Sequence, residues 1–171
     1  MSHWQDPLSF YQLIAWPSFF LYLVSYQLLD PRQTIKLWIP ANIFMVIHFY
    51  GMGSIPALCI ALGAMVRDSV AVYGSSKTLS YTLVVYVIYV WIAVLLSAVA
   101  VQDYLVAVGT TFLSLATFNR DLFWRHRLFS ACHQMMWFSA FVLMGSYAGV
   151  TQLAFLMTSN IIGMVRRFLQ K

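Results

Sequence analysis

Long apolar runs alternate along the chain with short polar or glycine-containing breaks. Seven runs are predicted as helices, at 8–29, 37–53, 54–73, 79–101, 104–118, 128–144 and 150–168. The breaks between them read DPRQTIK, YGMGSIP, GSSK, QD, NRDLFWRHR and GSYAG, rich in turn formers or charge. A hydrocarbon core about 30 Å thick takes roughly 20 helical residues, fewer where the bilayer thins, so the runs are of membrane-crossing length. Connections this short force neighbouring helices to run antiparallel and leave no room for an extramembrane domain. The pattern predicts an all-α polytopic membrane protein, one transmembrane domain over residues 1–171.

Composition agrees. Of 171 residues, 61% are apolar and 9% charged, none is glutamate, and the mean hydropathy is +0.76. A soluble domain carries about 25% charged residues, so a bilayer is the expected solvent. The net charge of +5 does not point to nucleic acid, because no basic helix face or aromatic platform lies in a water-exposed segment. Cys59 and Cys132 sit inside apolar runs, with neither a disulfide nor a metal-knuckle spacing. The start, MSHWQDPLSF, lacks the positive n-region of a cleaved signal peptide, so the first run is expected to be retained.

Charge placement orients the helices. Arg32 and Lys36 follow the first run, Arg67 and Lys77 mark the end of the third, Arg120, Arg125 and Arg127 follow the fifth, and Arg166, Arg167 and Lys171 follow the seventh. With seven crossings all 10 basic residues fall on one side, and the other side carries only Asp6 and Asp103. Basic residues are retained in the cytoplasm during insertion, which predicts an outer (periplasmic) N-terminus and a cytoplasmic C-terminus. The cluster in FNRDLFWRHRLF is then an orientation signal, expected to touch anionic lipid headgroups at ~1 kcal/mol per residue. Trp4 and Trp38 are placed in the interfacial belt, and Trp91 and Trp137 inside the bilayer.

Short matches recur within the chain. FLYL at 20–23 returns as FLSL at 112–115, Met52-Gly53-Ser54 as Met144-Gly145-Ser146, and Met65-Val66-Arg67 as Met164-Val165-Arg166. They predict two like-oriented three-helix repeats, 8–73 and 104–168, joined by a linker helix at 79–101. Parallel repeats of this kind occur in transporters, with the solute site near mid-membrane between the halves.

IHFYGMGSIPALCIALGAMVR (47–67), WFSAFVLMGSYAG (137–149) and SNIIGMVRRF (159–168) resemble the bacterial inner-membrane YgjV family. That resemblance implies a location in the bacterial inner membrane and brings no established activity. The three-one-three order with an outer N-terminus also resembles the SWEET and PQ-loop transporters. The proline–glutamine pair is missing, since Ser18 follows Pro17. Of the asparagine pair that lines the pocket in those transporters, only Asn160 has a counterpart here.

Polar groups inside the runs each need a reason, because hydrocarbon offers them no partner. Asn160 falls about 15 Å into the last run, at mid-membrane, where it would either bind a neighbouring helix or contact solute. His48, Gln134 and Trp137 are further candidate solute contacts, each with packing as its alternative. His126, Cys132 and His133 offer too few ligands for a metal, and His48 with His133 lie too far apart in depth to hold a haem together, so no cofactor is expected. Arg67 and Asp68 read either as the end of a locally short helix with a snorkelling arginine or as an inner gate latch. Pro56 and Pro40 are expected near helix starts, whereas Pro17 is interior and predicts a hinge. Every aspartate falls near a terminus or loop, which disfavours proton-driven pumping. No nucleophile–base–acid set faces water, so no enzyme is expected. The expected function is a facilitator for a small neutral or weakly polar solute. The alternative is an accessory subunit of a membrane complex that transports nothing. Homo-oligomerisation is compatible with either.

Overall fold

A computed structural model describes residues 10–51, 55–98, 100–143 and 147–170. The Met52-Gly53-Ser54 and Met144-Gly145-Ser146 matches, Trp4, Asp6 and Lys171 lie outside the described residues. The described chain is all helix: α1 (Phe10–Leu13), α2 (Ala15–Ser25), α3 (Pro31–Gly51), α4 (Ile55–Tyr73), α5 (Ser76–Ser97), α6 (Val101–Phe118), α7 (Phe123–Leu143) and α8 (Tyr147–Leu169). The first two are one rod broken at Ile14. Pro17 accounts for the break, because it has no N–H for the carbonyl four residues back and its ring crowds that carbonyl. Seven rods therefore match the seven predicted runs, with different ends.

Local chemistry sets those ends. Asp30 Oδ1 accepts the Arg32 backbone N–H at 2.9 Å, and Pro31 opens α3 where its missing N–H costs nothing. Ser75 Oγ accepts the Thr78 N–H at 3.1 Å and caps α5. The Asp103 carboxylate accepts the Ala100 N–H at 3.1 Å at the head of α6. These caps draw residues assigned to breaks into helices: DPRQTIK is mostly the first turns of α3, and Arg125–Arg127 belong to α7. Pro40 consequently sits inside α3, and not near its start as expected.

Each helix packs on its chain neighbours, and α2 also meets α8, so the bundle closes into a ring. Its polarity is inverted relative to a soluble protein. Val84, Val85, Ile88, Ile92, Leu95 and Leu96 of α5 face outward, whereas Arg67, Asp68, His126, Arg127, Gln134 and Asn160 are buried. An apolar exterior with polar side chains turned inward among the packed core is what hydrocarbon solvent selects. By length and composition alone, α4, α5 and α6 qualify as membrane spans. The remaining long helices, α3, α7 and α8, include Arg32 and Lys36, Arg125 and Arg127, and Arg166 and Arg167 within their bounds.

One end of the bundle is tied by arginines. Arg120 is 3% exposed; it donates to the Ala71 carbonyl and, at 3.2 Å, to the Gly74 carbonyl, closing the C-terminal end of α4. Arg32 Nε donates to Asp121 Oδ1 at 2.9 Å across the exposed rim. Two of the cluster's three arginines, Arg120 and Arg127, are thus buried in the bundle; Arg125 is exposed. Trp38 is likewise buried in the bundle, at 1% exposure, donating Nε1 to Ser25 Oγ at 2.9 Å and stacking on His126. Equivalent positions of the internal matches differ in surroundings: Arg67 is enclosed, and Arg166 is exposed.

Candidate functional site

Two polar networks interrupt the apolar interior. In the first, Arg67 and Asp68 of α4 are 1% and 0% exposed, and Arg67 Nε donates to Asp68 Oδ1 at 2.7 Å. Asn42 of α3 donates Nδ2 to the other carboxylate oxygen at 2.9 Å, and the Tyr22 hydroxyl of α2 donates to Asn42 Oδ1 at 2.8 Å. The guanidinium lies 5.0 Å from the Tyr86 ring centre of α5, and the Tyr86 hydroxyl donates to the Ile60 carbonyl at 3.0 Å. Stripping water from an ion costs several kcal/mol, and this set of partners offsets the cost for both members of the pair.

In the second network, Arg127 lies about 6 Å along α7 from its Phe123 end and is 0% exposed. It donates to the Leu28 carbonyl and, from Nη1, to Asn160 Oδ1 at 3.2 Å. Its guanidinium packs on Tyr26 and Phe123, 5.4 and 5.3 Å from the ring centres. Asn160 Nδ2 donates to the Arg127 carbonyl and to Gln134 Oε1, both at 3.3 Å. Beside it, Gln27 Nε2 donates to Ser159 Oγ at 2.5 Å, pinning the end of α2 to α8.

The ring surrounds a partly open cavity of about 130 Å³, walled by residues from every helix between Ser18 on α2 and Leu156 on α8. Aromatic rings dominate the wall, among them Phe19, Tyr22, Trp38, Tyr86, Trp137 and Phe141. Five wall residues carry a buried polar atom with no hydrogen-bond partner: Ser18 Oγ, Arg67 Nη1, Thr110 Oγ1, Gln134 Nε2 and Trp137 Nε1. A buried polar atom left unpaired costs ~1–3 kcal/mol. Their grouping around one cavity marks a place completed by water or solute. His133 is also on the wall, held by the Gly109 carbonyl at 3.0 Å. A carbonyl only accepts, so Nδ1 carries the proton and Nε2 is the acceptor nitrogen. Gly109 has to be glycine here, since a Cβ would stand 2.7 Å from Trp137 Cδ1.

The sequence candidates divide. Arg67, Gln134 and Trp137 line the cavity, and Asp68 sits behind it, holding Arg67. Asn160 is not on the wall; both of its amide atoms are engaged by Arg127 and Gln134. His48 also lies elsewhere, with Nδ1 2.6 Å from the Tyr11 carbonyl and its ring against Phe49, joining α1 to α3. Pro17 is exposed near the head of α2, three residues past the break. The snorkelling arginine is corrected: α4 continues to Tyr73, and Arg67 turns inward to the cavity instead of outward to the interface. Asp68 is correspondingly a buried acid, not a loop one. Tyr22, Asn42, Tyr86, Ser18 and Thr110 were missed. Asn42 carried a readable signal, an amide in an apolar run; the others are ordinary in such runs. Among the described residues no group of three or more His, Cys, Asp or Glu side chains is placed to hold a metal ion.

A family model described as "Imp-YgjV: Bacterial inner membrane protein" matches residues 9–171. Neither the curated proteins nor the solved structures include a match.

Proposed function

From the premise that the chain belongs to the Imp-YgjV family of bacterial inner membrane proteins, we propose that it is a facilitator whose central cavity carries a small uncharged solute across that membrane. The observation that carries this reading is the cavity itself. A subunit built only to pack against others gains nothing from leaving five wall residues with unpaired polar atoms around a cavity. In this reading the arginine-tied end faces the cytoplasm, as retention of basic residues during insertion requires. Arg127, Tyr26 and Phe123 close the cavity on that side, and the break before Pro17 is the flexing point on the other. The helices α1–α4 and α6–α8 then form two like-oriented units about α5, the arrangement that places a solute between halves. The polar ties at Asn160 and Ser159 favour a second reading, the accessory subunit, in which these groups only hold helices together.

Osmotic swelling of proteoliposomes separates the two. Small uncharged carbonyl solutes, from acetamide to N,N-dimethylacetamide, are expected to enter wild-type vesicles several-fold faster than protein-free ones. Ala64 lies on the wall and is buried, so Ala64→Leu fills the cavity at little cost in stability. Swelling in that variant should fall to the protein-free rate. Equal rates for wild-type, variant and empty vesicles would refute the facilitator.

A further inference from the structure

Resting on the cavity reading above, we infer that the site selects uncharged carbonyl compounds with an apolar body, excluding both anions and polyols. Three observations specify the class. The first is charge. Among the described residues, Arg67 and His133 are the only titratable nitrogen side chains on the wall, and the Arg67 charge is already matched by Asp68 at 2.7 Å. A carboxylate solute would leave an unmatched charge in a buried site, and an ammonium solute would meet Arg67.

The second is hydrogen-bond sense. The unpaired groups on the wall include three that only donate, Arg67 Nη1, Gln134 Nε2 and Trp137 Nε1, and two hydroxyls, Ser18 Oγ and Thr110 Oγ1. Tyr22 and Asn42 are committed to each other and to Asp68. A wall with surplus donors favours a solute that only accepts over a polyol, each hydroxyl of which adds a donor proton to be placed. His133 Nε2 adds one acceptor for an amide N–H. The unpaired atoms are themselves buried, so a carbonyl oxygen engages them once their side chains turn toward the cavity.

The third is size and surface. A cavity of about 130 Å³ is near the ~150 Å³ apolar cavity that takes a benzene ring. The aromatic wall suits flat or branched hydrocarbon around the carbonyl.

Three probes of closely matched size test the class on the purified full chain: N,N-dimethylacetamide, 2,3-butanediol and butyrate. The amide is expected to raise the unfolding midpoint by about 4 °C at roughly tenfold its dissociation constant. Ala64→Leu should abolish the shift, and Trp137→Phe, which keeps the ring but removes the donor, should weaken binding about fivefold. An equal or larger shift with butyrate overturns the exclusion of anions, and one with butanediol overturns the selection for acceptors. No shift with any probe overturns the inference outright. The facilitator reading fails separately: if the amide binds through Trp137 but vesicles swell no faster than empty ones, the site stands and transport does not.

Discussion

Replacing Asp68 with alanine is expected to destabilise the protein by ~3–5 kcal/mol, which lowers the unfolding midpoint by on the order of 10 °C. The loss is not simply that of one hydrogen bond. Arg67 would remain at 1% exposure with its counter-charge gone, and Asn42 Nδ2 would lose its acceptor. The distinguishing outcome is non-additivity. Replacing both members, as in Arg67→Leu with Asp68→Leu, removes the uncompensated charge and should recover most of the loss. Thermal or denaturant unfolding of the two singles and the double checks this. A double variant as unstable as the sum of the singles would show that the pair contributes by its shape and not its charge balance.

Arg127→Ala has the second largest expected effect, about 3 kcal/mol. The side chain fills space between Tyr26 and Phe123 and satisfies both the Leu28 carbonyl and Asn160 Oδ1. Alanine leaves two acceptors without donors and a void at the tied end of the ring. Arg127→Lys should recover less than half, because one ammonium cannot lie flat on two rings while reaching both oxygens. Full recovery by lysine would reduce the role of Arg127 to charge alone. On the facilitator proposal, Arg127→Ala should also raise the swelling rate of vesicles, in contrast to Ala64→Leu, which should lower it.

Much of the architecture was legible in the amino-acid sequence. Apolar run length predicted seven rods, since a bilayer demands continuous helices of known length. The ends were less legible because Asp30 and Pro31 start a helix inside a polar break, and the Arg125–Arg127 segment is drawn into α7. A cation in sequence is ambiguous: it signals orientation during insertion yet afterwards serves as a cap, as Arg120 does on the carbonyls of α4. The site was half legible. Arg67, Gln134 and Trp137 stood out as anomalies of type, whereas Asn160 stood out equally and proved to be a helix tie. Depth in the membrane can be counted along a helix, but which face turns inward depends on neighbours. Here the close approach at Gly163, where a Cβ would run into the Tyr26 carbonyl, brings α8 against the end of α2.

Everything functional depends on the cavity being wet and reachable. In a background with Cys59 and Cys132 replaced by serine, single cysteines at Thr110 and at Val90 test this directly with a small water-soluble thiol reagent. Thr110 lies on the wall, and Val90, 1% exposed, belongs to the packed core between α4 and α6. The account predicts rapid modification at 110, suppressed by Ala64→Leu, and none at 90. Equal inertness at both positions would mean the bundle is closed to water, and the cavity would be a packing void.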